Sequence, residues 1–146
     1  MIKTNKILLP VFIIIATIVV LTVIKSRNTK VNSESNKNKS LTQENDGGNV
    51  KIIVTPKTSS VGEKPSFDIV FETHSVDLSF DVAKQSILVD DKGNDFGQPV
   101  WDGSPPGGHH RSGTLTFDSS LAQTNNVELI IKNVAGIPER KFRWKL

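Results

Sequence analysis

The chain has 146 residues and no cysteine, and its 18 lysines and arginines outnumber 15 acidic residues, giving a formal net charge of +3. The absence of cysteine excludes disulfide bonds, thiolate metal sites and a lipoprotein-type acylated cysteine. The positive excess lies in residues 1–48, with 7 basic and 3 acidic residues, whereas residues 49–146 carry 11 and 12. A nucleic-acid binder usually carries its excess of positive charge on the folded domain, so nucleic acid is not the expected partner.

The N-terminal segment predicts a membrane anchor. After a short head, residues 1–6, come 18 uncharged residues from Ile7 to Ile24. A helix of that length spans about 27 Å, close to the ~30 Å hydrocarbon thickness of a bilayer. A cleaved secretory signal, the main alternative, has a shorter apolar run and small residues before the cut, whereas this run ends in VLTVIKSR. A buried helix is a further alternative. We expect an uncleaved transmembrane span.

The charges that flank the span do not decide its orientation. Lys3 and Lys6 precede it, while Lys25, Arg27 and Lys30 follow it, and basic residues tend to stay on the cytoplasmic side. A short head followed by a whole domain is typical of a signal anchor. We therefore expect the protein in the cell membrane, with its C-terminal domain outside the cytoplasm.

Residues 25–49 predict a disordered polar linker. Val31 and Leu41 are the only aliphatic residues among them, so burial cannot offset the entropy of ordering this segment. A flexible chain of this length reaches roughly 25–30 Å on average.

Residues 50–146 predict an all-β domain. Short stretches in which apolar and polar residues alternate are separated by turn residues, and no amphipathic helix is evident, so we expect an immunoglobulin-like antiparallel β-sandwich of seven or eight strands. The expected strands are 50–54, 67–73, 78–80, 86–90, 97–101, 113–117, 127–134 and 140–146. The expected core consists of Ile52, Phe67, Ile69, Phe71, Phe80, Leu88, Leu115, Phe117, Leu129, Ile131, Phe142 and Trp144.

Two polar stretches in this domain are interpreted as ordinary β-sheet features. DDKGND, residues 90–95, lacks the glycine and glutamate positions of an EF-hand loop and predicts a hairpin turn in which Gly93 adopts a positive φ. Lys141, Arg143 and Lys145 alternate with apolar residues and predict the solvated face of an edge strand. Attraction to anionic polymers or lipid is the alternative for that stripe.

All three histidines lie in two stretches, THSVDLSFD at 73–81 and WDGSPPGGHHRSG at 101–113. Imidazole and carboxylate ligands suit Zn²⁺ or Cu²⁺, and the candidate metal ligands are His74, His109, His110 and Asp77. The prolines stiffen the second stretch, and its Gly-Gly pair permits unusual backbone angles. A structural loop and an interaction surface are the alternative interpretations.

Strand geometry limits this metal hypothesis. If His109 and His110 begin a strand, their side chains point to opposite faces, so one of them joins a given site. If residues 78–81 form a full strand, His74 and the second stretch lie at opposite ends of the domain; if they form a loop, both lie at the same end.

Catalysis has weaker support. Ser75 beside His74 and Ser104 before His109 are the only nucleophile and base candidates, and the sequence has no G-x-S-x-G elbow. We do not expect an enzyme, and a hydrolase is the last alternative.

The two histidine stretches resemble motifs of a family of small bacterial and archaeal exported or membrane-anchored domains. The motifs of that family are THSVDLxFD, WxGSPPGGHHRxGxLxF and an aromatic C-terminal strand. The similar stretches of this chain are residues 73–81, 101–117 and 142–144. The resemblance supports the architecture and implies no activity.

Taken together, these observations predict a single-pass membrane protein that displays a β-sandwich with a binding or structural role. A protein or a cell-envelope polymer is the expected kind of partner, and no cofactor is expected. A domain that binds Zn²⁺ or Cu²⁺ through His74 and the loop of His109 and His110 is the alternative.

Overall fold

A computed structural model describes residues 41–146, and almost all regular structure in them is β. The strands are β1 (Gln43–Gly47), β2 (Val50–Thr58), β3 (Ser66–Thr73), β4 (Ser86–Asp90), β5 (Val100–Gly103), β6 (His110–Thr116), β7 (Asn126–Val134) and β8 (Ile137–Lys145). One short helix, α1 (Val82–Gln85), precedes β4. The all-β prediction is confirmed.

The strands form two antiparallel sheets. The five-stranded sheet has the order β1-β2-β3-β6-β5, and the three-stranded sheet has the order β4-β7-β8. Along β2, buried Val50, Ile52 and Val54 alternate with half-buried residues. This period of two places one face of each strand against the core.

Apolar side chains from both sheets form one hydrophobic cluster. Eleven of the twelve predicted core residues are buried in it, and Phe80 packs against it while half-buried. The aromatic rings meet in pairs: Phe67 lies 5.2 Å from Trp144 and Phe71 lies 5.2 Å from Phe80 between ring centroids. Such pairs add roughly 0.5–1.5 kcal/mol beyond the area that they bury.

Residues 78–80 do not form the predicted strand. The backbone of Leu78 instead pairs with the loop before β6: its N–H donates to Gly108 O and its O accepts from Gly107 N–H, both at 2.9 Å. The side chain of Leu78 is buried as a strand residue's would be, which explains why the pattern is misleading. The strand predicted at 97–101 also begins later, at Val100.

The predicted linker extends too far along the chain, because its last part forms β1. Gln43 to Gly47 pair with Val54 to Val50, and β1 is further held by its neighbours in the other sheet. The Trp144 indole N–H donates to Leu41 O at 2.7 Å, and the buried Arg140 donates to Gly47 O at 2.5 Å. Polar residues are ordered here because the rest of the domain supplies their partners.

The earlier predictions for the N-terminal part lie outside the described residues. These are the head at 1–6, the span from Ile7 to Ile24 and the linker up to residue 40. Between residues 41 and 146, no helix is both long enough and apolar enough to cross a bilayer.

The turn predicted at DDKGND is confirmed, but the chain after it pairs with β4 through a single bridge, Val89 with Asp95, and forms no second strand of a hairpin. The Asp90 carboxylate accepts from the N–H groups of Lys92 and Asn94, both at 2.9 Å, and Gly93 N–H donates to Asp90 O at a positive φ of 81°. Burial alone would raise the pKa of Asp90, but these hydrogen bonds and one from the Asn94 side chain outweigh it, so the pKa is lowered.

The basic stripe at the C-terminus lies where an edge strand was predicted. β8 is the edge of the three-stranded sheet, and Lys141, Arg143 and Lys145 are exposed. Arg143 pairs with Glu128 at 2.6 Å, and Lys141 pairs with Glu139 at 3.1 Å. Charged side chains on an edge discourage pairing with another chain.

Candidate functional site

The two histidine stretches meet at one end of the domain. Residues 74–81 form the loop from β3 to α1, and residues 104–109 form the loop from β5 to β6. Because 78–81 is a loop rather than a strand, His74 and His110 lie close together, with ring centroids 6.4 Å apart and planes at 80°. The sequence left this choice open, and the structure decides it.

Backbone hydrogen bonds join these two loops. Thr73 N–H donates to His109 O at 3.0 Å, which extends the ladder between β3 and β6. Beyond it, Leu78 bonds with both Gly107 and Gly108. The Asp77 carboxylate accepts from Gly108 N–H at 2.9 Å, so this predicted ligand already holds the loop. Gly107 and Gly108 adopt φ values of 113° and 76°, which a glycine adopts readily.

Arg111 fastens both loops from inside. It is 2% exposed, and its Nη1 donates to Leu78 O at 2.8 Å and Phe80 O at 2.7 Å, while Nη2 donates to Ser104 O at 3.3 Å. Its guanidinium also lies 5.2 Å from the Phe80 ring centroid, a favourable cation–π arrangement. Burial lowers the pKa of Arg111 against the opposing effect of Asp81, but an arginine stays charged.

The Trp101 side chain packs beside the same two loops, against two glycines. Its indole N–H donates to Ser104 O at 3.0 Å, and its ring lies against Gly103 and Gly113, which pair across β5 and β6. A Cβ added to Gly113 would lie 2.5 Å from Asp102 O and 2.8 Å from the Trp101 ring. These positions need glycine because the strands and the indole approach too closely for a side chain.

The structure brings two of the four predicted metal ligands together. His74 and His110 are exposed neighbours, whereas His109, also exposed, is fixed by its backbone in the ladder with Thr73. Glu72 lies directly opposite His110 across β3 and β6. Within residues 41–146, no group of three or more histidine and acidic side chains is arranged to hold a metal ion.

Of the two hydrolase candidates, Ser104 has other partners for its hydroxyl, and Ser75 has one for its backbone N–H. The Ser104 hydroxyl donates to Ser112 O at 3.1 Å and accepts from Ser112 N–H at 3.2 Å. The Ser75 N–H donates to the Thr73 hydroxyl at 3.2 Å. These contacts stabilise strand ends.

A polar depression lies beside His74. It has a volume of about 370 Å³ and is lined by Asp46, Asn49, Lys51, Glu72, Thr73, His74 and Ser75. The turn between β1 and β2 therefore contributes to the same end of the domain as His74.

No family model, curated protein or solved structure matches this chain. The relation to exported or anchored domains, which rests on the two histidine motifs, stays a prediction.

Sequence reasoning missed Arg111 as the centre of this corner. The signal was present, because Arg111 shares the parity of Leu115 and Phe117, both buried. A strand from residue 110 therefore places the arginine on the inward face. We refer below to residues 74–81 and 101–113 as the Arg111 corner.

Proposed function

We propose that this protein is a single-pass membrane protein whose extracytoplasmic β-sandwich binds a protein or cell-envelope polymer through the outer surface of the Arg111 corner. The observation that carries the proposal is the buried Arg111 guanidinium, which fixes two irregular loops while the imidazoles of His74 and His109 on these loops, and of His110 at the start of β6, remain exposed. Burying a charged side chain costs free energy, and a loop that only connects two strands does not require it. A preformed polar surface lowers the entropic cost of binding a ligand.

The strand order supports an immunoglobulin-like sandwich. β2-β3-β6-β5 and β4-β7-β8 have the order of strands A-B-E-D and C-F-G in constant-type immunoglobulin domains, with β1 as an added strand. In that correspondence, residues 74–81 form the B–C loop. Antibody variable domains bind with the end that carries this loop, and the fold-level analogy favours the same end here.

The nearly balanced charge of the domain is compatible with a role at a membrane surface. It argues against nucleic acid as the partner. Residues 49–146 carry 11 basic and 12 acidic residues, so long-range attraction to a polyanion is weak. The uncharged run from Ile7 to Ile24 supports the anchor.

We expect the full chain, expressed in a bacterial host, to stay in the membrane during alkaline carbonate extraction. In a separate experiment, protease added outside intact spheroplasts of the same host should remove a C-terminal epitope tag. Changing both Ile14 and Ile18 to aspartate should release the chain from membranes, because each aspartate near the centre of a span costs about 2.5–3.5 kcal/mol of insertion free energy.

The matched control places the same two charges in the predicted linker, as Asn32→Asp with Asn36→Asp, and should leave extraction unchanged. Recovery of a soluble chain shortened at its N-terminus would contradict the anchor. Protection of the tag from external protease would contradict the orientation.

A second candidate function is the binding of Zn²⁺ or Cu²⁺ by His74 and His110. A histidine nitrogen lies about 2.0–2.1 Å from bound Zn²⁺, so two rings that share a tetrahedral ion have centroids roughly 5–5.5 Å apart. The observed separation of 6.4 Å is about 1 Å longer, a difference that small rotations of these two exposed side chains would remove. Two imidazoles leave the remaining positions to water or to a donor from a ligand.

We expect Zn²⁺ or Cu²⁺ to raise the melting temperature of the full chain in detergent micelles. At a metal concentration 100 times Kd, the free energy of unfolding should rise by about 2.7 kcal/mol. His74→Gln or His110→Gln should abolish the rise, while the neighbouring change His109→Gln should preserve it. An unchanged melting temperature with both ions would exclude this function.

A further inference from the structure

The four sheet edges differ in how their backbone groups are used. β1 and β8 lie side by side and are bridged by the Gln43 side chain, whose Nε2 donates to Arg143 O at 2.5 Å and whose Oε1 accepts from Arg143 N–H at 3.2 Å. β4 is covered by residues 94–96, since Phe96 N–H donates to Leu88 O at 3.1 Å. These three edges are therefore bridged or covered.

β5 is the edge that its neighbours leave open. Ser104 N–H donates to Ser112 O, and in the register of β5 with β6 this makes Val100 and Asp102 the residues that bond to β6. The backbone groups of Trp101 and Gly103 therefore point away from the sheet. Among residues 41–146, no backbone hydrogen bond outside the strand ladders reaches either of them.

An apolar groove of about 430 Å³ runs along this open edge, between β5 and α1. Its walls include Val82, Pro99, Val100, Trp101, Pro105 and Pro106. The Val100 side chain is 60% exposed there. An open edge with an exposed apolar residue is a template for an additional strand.

The charges at the groove indicate the sign of the partner. Asp81 lines the groove and Asp102 lies on β5, and both are exposed. Asp102 has no ion-pair partner among the described residues, whereas Asp81 pairs with Lys84 at 3.0 Å. The Arg111 guanidinium is buried and already donates to three carbonyl oxygens. A partner that carries a basic residue next to an apolar one would therefore complement the acidic and apolar side chains along this groove.

We propose that the β5 edge binds an extended peptide of another protein, one that alternates apolar and basic side chains and adds a short strand beside Trp101 and Gly103. This inference rests on the proposed binding role and names a partner class for it, at the β5 edge of the Arg111 corner. Main-chain bonds supply affinity in such strand addition, and the groove for alternate side chains supplies specificity.

A second copy of this chain fits the edge poorly. β5 has four residues, and Pro99 and Pro105 bracket it, so two copies would share only a few main-chain bonds. A stable dimer buries at least about 1,200 Å² in total, which an edge this short does not supply. A short peptide does not need that area, because its affinity can be modest.

The test uses the full chain in nanodiscs of zwitterionic lipid, with empty nanodiscs as the blank. The probe is a fluorescein-labelled hexapeptide of alternating lysine and valine, followed by fluorescence anisotropy. We expect saturable binding with a Kd of about 10 µM to 1 mM, typical of a weak short contact. Methylating the backbone nitrogens of the valines should weaken binding tenfold or more, because it removes the donors to the edge.

Val100→Lys should weaken probe binding tenfold or more by placing like charge and a polar head at the groove. Val61→Lys is the matched control, since Val61 is 58% exposed, close to the 60% of Val100, and does not line the groove. It should change the Kd less than twofold. Equal losses in the two variants would overturn the proposal.

Three other outcomes would also overturn it: no saturable binding, equal binding of a glutamate–valine hexapeptide, or dimerisation of the chain that Val100→Lys abolishes. If the chain stays in the membrane with its domain outside the cytoplasm in the carbonate and protease experiments but does not bind the probe, only this inference is contradicted. The membrane anchor, its orientation and the metal candidate would then stand on their own tests.

Discussion

Replacing Arg111 with methionine is expected to lower the free energy of unfolding by about 3–5 kcal/mol. Methionine keeps much of the apolar stem of arginine but donates no hydrogen bond. Leu78 O, Phe80 O and Ser104 O would each lose a charged donor, and two irregular loops would lose what joins them. Urea unfolding of the full chain in micelles, followed by tryptophan fluorescence, measures the loss.

Arg143→Met is the matched control for this experiment. The Arg143 side chain is 69% exposed and pairs with Glu128, so its removal should cost less than about 1 kcal/mol. Arg111→Lys should fall between the two, because a lysine keeps the charge but cannot reach three carbonyl oxygens with a planar fork. A loss below 1 kcal/mol for Arg111→Met would show that the guanidinium does not hold the corner.

Removing β1 is expected to have the second large effect. A fragment 38–146 contains every described residue, from Leu41 to Leu146, and should unfold cooperatively in urea. A fragment 49–146 loses five ladder residues, the Leu41 acceptor of the Trp144 indole and two carbonyl acceptors of Arg140. Its free energy of unfolding should fall on the order of 3–5 kcal/mol, because buried donors are left without partners.

The variant Glu44→Gln in fragment 38–146 controls for lost surface charge. Glu44 pairs with Lys51 at 2.8 Å, but both side chains are partly exposed, so the expected change is small. Equal urea midpoints for fragments 38–146 and 49–146 would mean that the domain begins at β2, as the sequence alone predicts.

Strands with clear alternation could be predicted from the sequence. Residues 86–90 match β4 at both ends, and 127–134 differs from β7 by one residue. β7 combines buried Val127 and Leu129 with half-buried neighbours, and this period-two signal is local. Such a signal requires no knowledge of partners.

β1 could not be predicted in that way because its partners are remote in sequence. QENDG contains no apolar residue, and what orders it comes from Val50 to Val54 and from β8. One local signal was available: Asp46, Gly47, Gly48 and Asn49 form a sequence typical of a tight hairpin turn. That turn predicts a strand before it as well as after it.

The candidate site was predictable in composition and unpredictable in geometry. Two motifs containing all three histidines could be recognised, but their separation depended on whether residues 78–81 form a strand. Leu78 is buried in either case, so hydrophobicity carries no information about that choice. The hydrogen bonds of Leu78 with Gly107 and Gly108 decide it.

The facing glycines of β5 and β6 restrict how this corner can change. A Cβ at Gly103 would lie 2.5 Å from Ser112 O, and one at Gly113 would lie 2.5 Å from the Cα of Gly103. Truncating Trp101 would relieve only the contact with the indole and leave the backbone collisions. A library of single substitutions should therefore find both positions intolerant. Substitutions that change what this end of the domain binds would then have to occur at the exposed residues around the two glycines.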